Sequence, residues 1–316
     1  MPEEVDISIC IPAYKRPEFL RRLLDSIVQQ SFRNFEVIVT DDSPGKEVEL
    51  LSEEYASKMN IRYHRNEPAA GTPENWNIAL DMAQGSWIKI MHDDDWFSDK
   101  ESLQYYVIAF QNDPQSAFLF SAYNNVLLGS RRAKTTYSNG FRNRMLKKNP
   151  VTLFSRNIIG PPSVVIHKAN IGLRYDKNLK WLVDIDFYIR FLENTEPVYI
   201  ERPLINVGIG EEQVTRDCFR QRPIEIPENF YLLNRVGATS LKNMLVYDAW
   251  WRLMRNLKIT KREEIVESGY SGKIPTVILS MIRWQAFLPK FLLRSGIISK
   301  TIMSLHYICN YGKISH

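Results

Sequence analysis

The stretch Phe35-Glu36-Val37-Ile38-Val39-Thr40-Asp41-Asp42-Ser43 places a short, largely apolar run directly before a pair of carboxylates. Such a run is typical of a strand buried on both faces of a parallel sheet. Ile7-Ser8-Ile9-Cys10-Ile11 is a second run of this kind, and the segment between the two has helical spacing and is opened by Pro17. Strands that alternate with helices predict an α/β fold with right-handed crossovers.

The same alternation continues along the chain and becomes mixed in the middle. We expect helices at about 47–57, from 72 and at 184–194, and strands at 61–64, 86–91, 118–128, 163–167 and 198–207. Residues 129–149 are basic and polar, which favours a mobile loop. From about residue 227 the chain is predicted to be helical to its end.

The composition is that of a folded protein. The chain has 316 residues, of which 44% are hydrophobic and 24% charged, so long disordered stretches are excluded. Three cysteines that lie far apart do not form a disulfide framework and favour a reducing compartment. The acidic N-terminus does not resemble a secretory signal, so we expect a cytoplasmic protein.

The net charge of +5 is unevenly distributed. Residues 268–316 carry six cations and no acid, and the rest of the chain sums to −1. We therefore place the asymmetry wholly in the tail and expect an anionic partner there. Residues 274–293 are apolar and aromatic but are interrupted by Arg283, Pro289 and Lys290, which disfavours a transmembrane helix and favours a helix in the membrane interface. A packed helical subdomain with a solvated basic face is the other interpretation.

Three motifs directly follow predicted strands. They are Pro12-Ala13-Tyr14, Asp41-Asp42 and Asp93-Asp94-Asp95. Turn chemistry alone explains a single acidic pair. Three adjacent carboxylates repel one another unless a cation lies nearby, and hard oxygen ligands suit Mg²⁺ or Mn²⁺ bridging to a diphosphate.

Other nucleotide-binding and metal motifs are absent from the sequence. There is no G-x-G-x-x-G after the first strand, which disfavours a dinucleotide fold, and no P-loop motif. The five histidines have no zinc spacing among themselves or with the cysteines. No nucleic acid is expected as a partner.

Taken together, the motifs resemble family-2 glycosyltransferases. The segments that carry the resemblance are 8–14, Gln29-Gln30-Ser31-Phe32, 35–43 and the acidic cluster at 93–95, and it covers roughly residues 6–215. The resemblance implies a GT-A fold, with a Rossmann-like, mostly parallel sheet flanked by helices. It also implies inverting transfer from a nucleotide sugar. We expect a domain at 1–235, with a nucleotide-binding half (1–112) and an acceptor half (113–235), then a helical basic extension at 236–316.

The resemblance also implies a set of site residues. The family holds the nucleoside, usually uridine, with residues that fall here on Pro12, Ala13, Tyr14 and Asp42, with Asp41 beside them. Its D-x-D metal element falls on His92-Asp93-Asp94, so a histidine stands at the first acidic position. Asp94 is the first choice as metal ligand, with Asp95 as a second. The further expected donor-binding residues are Arg16, Asn75 and Asp93.

The family takes its general base from an acidic pair at the start of a helix. In this chain Asp184 matches the base and Val183 replaces the preceding Glu, while Asp186 is the alternative base. A carboxylate at a helix N-terminus is also favourable without any catalysis. Trp181 is either a platform for a sugar ring or a core residue. Residues 160–163 would line the acceptor side, and 208–215 would close over the donor, with Gly210 where relatives often carry His.

The expected acceptor is a lipid-linked saccharide in surface polysaccharide synthesis, which would place the protein peripherally on the inner face of the cell membrane. A protein or a soluble glycan is the alternative acceptor. A catalytically inactive nucleotide-sugar-binding module is the rival from another class. The acidic residues Asp42, Asp94 and Asp184 argue against an inactive module.

Overall fold

The computed structural model describes residues 6–130, 132–169, 171–210 and 218–314. A nine-stranded sheet has the order β3-β2-β1-β4-β8-β6-β9-β5, and β7 pairs with β6 at its side. The strands are β1 Ile7–Ala13, β2 Phe35–Asp41, β3 Ile61–Arg65, β4 Trp87–Ile90, β5 Trp96–Phe97, β6 Phe118–Leu127, β7 Ala133–Thr136, β8 Val165–Lys168 and β9 Pro197–Ile209.

Helices flank this sheet in the first two thirds of the chain and dominate the last third. The first six are α1 Pro17–Val28, α2 Glu47–Tyr55, α3 Glu74–Met82, α4 Ser102–Asn112, α5 Gly140–Lys148 and α6 Val183–Leu192. The later six are α7 Arg222–Val236, α8 Met244–Asn256, α9 Arg262–Glu267, α10 Thr276–Phe287, α11 Lys290–Arg294 and α12 Gly296–Asn310.

The predicted α/β fold is confirmed. Strands β1 to β4 pair in parallel, with Ile7 opposite Phe35 and Ala13 opposite Asp41, and β2 is buried along its whole length. The second half of the sheet is mixed, because β8 runs antiparallel to both β4 and β6 while β9 runs parallel to β6. The carboxyl ends of β1, β2 and β4 therefore meet at one edge.

The prediction of a mobile loop at 129–149 is wrong. β7 forms an antiparallel hairpin with β6, with Ala133 opposite Val126 and Thr136 opposite Tyr123. Helix α5 follows, and the Asn139 side chain accepts the backbone N–H of Phe141 near its start. Local polarity suggested a loop, but this polar strand is held by pairing with β6, which local sequence does not reveal.

The chain divides into two compact units. The first comprises residues 1–148, 158–177 and 186–212 and holds the sheet; the second comprises 149–157, 178–185 and 213–316. The core of the second unit includes Phe230 of α7, Trp250 and Trp251 of α8, and Met281 of α10. Because α7 contributes to this core, the boundary predicted between 235 and 236 lies inside the second unit.

Glu36 ties three strands of the parallel half together. Its carboxylate is almost fully buried and accepts the Ser8 hydroxyl at 2.6 Å and the Gln84 backbone N–H at 2.7 Å. The Arg62 guanidinium on β3 donates to the same carboxylate through Nε at 3.1 Å. Removal of this group would leave several buried donors without a partner.

We predict that Glu36→Ala lowers the free energy of unfolding by about 3 kcal/mol, the usual cost of breaking a buried charged network. The matched control is Arg21→Ala, which removes an exposed ion pair with Glu54 and should cost less than about 1 kcal/mol. Urea unfolding of both variants measures the difference. Equal losses would show that Glu36 does not hold these strands together.

Candidate functional site

The carboxyl end of β2 carries two acids with different surroundings. Asp41 is fully buried and accepts the Ser43 backbone N–H and the Tyr63 hydroxyl, each at 2.8 Å. Asp42 is half-buried and accepts the backbone N–H groups of Ala70 and Gly71, also at 2.8 Å. Asp41 therefore holds the fold, whereas Asp42 shapes the loop before α3.

Asn66 links the predicted donor-binding residues. Its side-chain amide donates to Asp42 at 2.8 Å and to the side-chain oxygen of Asn75 at 2.9 Å. Asn75 in turn approaches the Ala13 carbonyl at 3.4 Å. The structure thus brings Ala13, Asp42 and Asn75 together, and sequence reasoning missed Asn66, which no motif marks.

The end of β1 is open to solvent. Pro12 is half-buried, Ala13 is buried, and the next residue, Tyr14, is 51% exposed. Arg16 turns toward the acidic cluster, where its Nε donates to Asp93 at 3.3 Å and its Nη1 donates to Asp94 at 3.4 Å. Burial raises the pKa of Asp93 to about 7, and the Arg16 charge opposes that shift.

The neighbours of Asp93 form a separate group. One donor atom from each of His92, Asp94 and Asp95 lies within 4.8 Å of the other two. The buried His92 Nε2 and Asp95 Oδ2 atoms make no hydrogen bond within the described residues. Burial, with the charge of Asp94, raises the pKa of Asp95 to about 8, and burial lowers the pKa of His92.

These features fit a divalent cation. A cation would satisfy both orphaned atoms and offset the cost of placing two carboxylates side by side. The neutral imidazole is the form that ligates metals, and a nitrogen ligand favours Mn²⁺ over Mg²⁺. Asp94 and Asp95, the two predicted ligands, both belong to this group. His92 was not recognised as a ligand candidate, although its place before the acidic run was a usable signal.

The surrounding chain holds this cluster in position. The Ser163 hydroxyl accepts the His92 backbone N–H at 3.0 Å, and the Gly208 backbone N–H donates to Asp95 Oδ1 at 3.0 Å. A side chain at Gly208 would collide with the Asp94 carbonyl oxygen, so only glycine allows this approach. The loop expected at 208–215 is described only to Gly210, and the remainder lies outside the described residues.

Asp184 belongs to the second unit and lies at the start of α6. Its carboxylate accepts the Ile185 backbone N–H at 2.8 Å and the Asn157 side-chain amide at 2.9 Å. Burial raises the pKa of Asp184 to about 6. Asn157 lies far away in the sequence, and sequence reasoning gave no sign of it.

The segment before α6 is fixed by an acid that was not predicted. Glu228 of α7 accepts three successive backbone N–H groups at 2.8–2.9 Å, those of Lys180, Trp181 and Leu182. Trp181 itself is half-buried. The alternative base, Asp186, is fully buried in the first unit and accepts the Arg190 guanidinium at 2.8 Å.

Comparison with known proteins agrees with this fold. The family model described as glycosyl transferase family 2 matches residues 8–162. This chain carries a family-2 glycosyltransferase domain. The predicted family and enzyme class are thereby confirmed.

Two curated relatives illustrate the likeness in sequence. The putative colanic acid biosynthesis glycosyl transferase WcaA of Escherichia coli is 28% identical over 219 residues, which cover 66% of this chain and 75% of WcaA. The poly(ribitol-phosphate) β-N-acetylglucosaminyltransferase TarS of Staphylococcus aureus is 29% identical over 157 residues, 48% of this chain and 25% of TarS.

Solved structures show the same fold. TarS residues 1–349 in complex with UDP-GlcNAc align with a TM-score of 0.62 at 18% identity, covering 98% of this chain and 90% of that one. A mannosyltransferase of Pyrobaculum calidifontis in complex with GDP-Man and Mn²⁺ aligns with a TM-score of 0.55 at 13% identity, covering 95% and 86%. The expected GT-A architecture is thus confirmed.

We predict that Asp95→Asn and His92→Ala each weaken Mn²⁺ binding at least about tenfold, because loss of a direct ligand should exceed the effect of losing an outer partner. Titration calorimetry without nucleotide measures this. Asp99→Asn changes an exposed carboxylate four residues along and should leave the affinity unchanged. Unaltered Mn²⁺ affinity in both cluster variants would contradict the assignment.

Proposed function

We propose that this glycosyltransferase moves a sugar from a nucleoside-diphosphate donor, in particular a UDP-sugar, to a saccharide hydroxyl with inversion at the anomeric carbon. The observation that carries the proposal is the His92, Asp94 and Asp95 group, in which the buried His92 Nε2 and Asp95 Oδ2 atoms have no hydrogen-bond partner among the described residues. It follows β4 at the same sheet edge as Tyr14 and Asp42. The complexes of structurally similar proteins with UDP-GlcNAc and with GDP-Man and Mn²⁺ support the same donor chemistry.

In this proposal the donor lies across the ends of β1, β2 and β4. Asp42, fixed by the loop N–H groups of Ala70 and Gly71, faces the nucleoside together with the exposed ring of Tyr14. His92, Asp94 and Asp95 would hold a divalent cation. Such an ion, when bound, neutralises charge on the departing diphosphate. Arg16 pairs with Asp93 and also contacts Asp94, so it adds positive charge beside the proposed ion site.

Asp184 is the proposed general base. The acceptor oxygen attacks the anomeric carbon, the bond from that carbon to the diphosphate oxygen breaks, and the hydroxyl proton passes to Asp184. A carboxyl with a pKa raised to about 6 is ionised at neutral pH and is still basic enough to assist. Asp186 suits the role less well, because its carboxylate is buried and paired with Arg190.

The proposed acceptor is a lipid-linked saccharide of a surface polysaccharide. The name of WcaA, a colanic acid biosynthesis transferase, supports this class of pathway. A membrane-bound acceptor requires the enzyme to work at the membrane surface. The described residues form no helix that is both long and apolar enough to cross a bilayer. We propose a peripheral association that rests on the tail.

The tail packs into the second unit and also exposes apolar side chains. Met281 and Met303 belong to the core, as the packed-subdomain interpretation requires. Other tail residues point outward, with Phe287 90%, Phe291 70% and Ile297 83% exposed. The six cations after residue 268 have no acid among them, which favours an anionic surface. We propose that these exposed apolar side chains insert into the interface of an anionic membrane.

Asp184→Asn preserves the shape of the side chain but cannot accept the proton, so turnover should fall at least about 100-fold. Donor affinity should stay near normal, because the change lies on the acceptor side of the reaction. In the unaltered enzyme kcat should fall as pH drops through about 6, where Asp184 becomes protonated. The readout is transfer from a radiolabelled UDP-sugar. A severe defect in Asp186→Asn with a mild one in Asp184→Asn would reverse the assignment.

Phe287→Ser combined with Phe291→Ser should reduce binding to anionic vesicles while leaving the fold intact, since both side chains are exposed. The cations should make the remaining binding sensitive to salt, because each contributes about 1 kcal/mol within a Debye length of the surface. Leu50→Ser, at a 57% exposed site in the first unit, is the control. Co-sedimentation with neutral and with anionic vesicles measures this binding. If the unaltered protein binds neither kind of vesicle, the membrane proposal is refuted.

A further inference from the structure

A second basic stretch lies outside the tail. Residues 114–175 contain ten Lys or Arg and no Asp or Glu. The net charge of the chain before residue 268 is near zero and so conceals this basic stretch. The prediction that the charge asymmetry lies wholly in the tail was therefore wrong. Seven of the ten cations fall within 18 residues: Arg131, Arg132, Lys134, Arg142, Arg144, Lys147 and Lys148.

Most of these cations lie on β7 and α5. We call residues 132–148 the basic arm. Ala133 at its start lies opposite Val126 of β6, and Val126 lies opposite Gly208 of β9. The Gly208 N–H donates to Asp95 of the metal-ligand group. Adjacent strands lie about 4.8 Å apart, so the arm begins roughly 10 Å from Gly208, within the same compact unit.

From that point the basic arm runs back along the sheet. Thr136 lies opposite Tyr123 of β6, the Ser138 N–H donates to the Tyr199 hydroxyl at 2.9 Å, and Lys147 reaches Glu196 at 3.3 Å. Glu196 directly precedes β9, whose first residue pairs with Phe118. Val126 lies eight positions after Phe118 on β6, a length of roughly 26 Å. The line of cations is therefore much longer than one sugar residue.

The outer face of α5 is both cationic and aromatic. Leu146 is buried, and Phe141, Arg144 and Lys148 share the opposite face at helical spacing and are exposed. Phe141 is 59% exposed and Tyr137, just before the helix, is 56% exposed. Among described residues, no carboxylate pairs with Arg144 or Lys148. Guanidinium and ammonium groups bind phosphate or carboxylate, and flat rings offer an apolar surface to a sugar face.

We propose that the basic arm binds the acceptor, and that this acceptor is an anionic glycan chain with phosphodiester or carboxylate groups on successive units. The inference rests on the proposed function, which supplies the donor site at one end of the arm. A chain lying along the arm would bring its terminus to the edge where Gly208 meets Asp95. This continuity with the metal-ligand group favours a glycan over a membrane surface as the occupant.

The test compares three fluorescent probes by anisotropy, without donor: a poly(ribitol phosphate) oligomer, a neutral dextran oligomer of equal length, and inorganic polyphosphate. The phosphate-bearing glycan should bind in a salt-dependent manner, and the neutral glycan should bind at least tenfold more weakly. Arg144→Gln combined with Lys148→Gln should weaken binding of the phosphate-bearing glycan about tenfold or more, as expected for lost bonds to charged groups. Phe141→Ala should weaken glycan binding and leave polyphosphate binding unchanged.

The matched control is Arg294→Gln combined with Lys300→Gln, which removes the same two residue types at exposed positions in the tail. It should leave glycan binding unchanged. Equal binding of charged and neutral glycans would overturn the proposal, as would an equal loss in the control variant. A third outcome would also overturn the proposal: binding to anionic vesicles that depends on Arg144 and Lys148, together with glycan binding that does not. That outcome would assign the basic arm to a membrane surface. UDP binding is measured separately and should be the same in all variants. If the unaltered protein does not bind UDP, that result counts against the proposed function and not against the role of the basic arm.

Discussion

The structure of the site depends on the cost of burying negative charge at the end of β4. Asp93 and Asp95 are almost completely buried, and Asp94 lies between them. Three ionised carboxylates cannot occupy such a place without positive partners. Arg16, in the segment after β1, pairs with Asp93 and also contacts Asp94, while Asp94 and Asp95 lie beside His92. One arginine thus offsets part of the negative charge, and a bound cation would offset the rest.

The same constraint explains the irregular half of the sheet. The Gly208 backbone N–H of β9 donates to Asp95, and the hydroxyl of Ser163, which precedes β8, accepts the His92 backbone N–H. The Nζ atom of buried Lys89 donates to the Val165 carbonyl at 3.2 Å and so ties β4 to this region. Strands β8 and β9 thus position chemistry as well as completing the sheet.

In the second unit, hydrogen bonds hold a further carboxylate, that of Asp184, in place. Glu228 accepts the backbone N–H groups of residues 180–182, and these bonds fix the start of α6 and with it Asp184. The carboxylate of Asp184 is then held by Asn157 and by its own helix end. The Asp184 carboxylate therefore has both a pKa raised by burial and a fixed orientation. A general base needs this combination.

The sequence by itself determined the parallel strands, the helices between them and the position of the acidic run, because apolar periodicity and strand-end polarity are local properties. It could not determine which acid would face which partner. Arg16 and Asp93 are 77 positions apart, and Asn66 joins Asp42 to Asn75 only after β2, β3 and α3 have packed. Strand β7 was missed for the same reason, since this polar strand is stabilised by pairing with β6 and not by its own pattern. Tertiary structure decided these points because buried charges and edge strands take their stability from groups that are distant in the sequence.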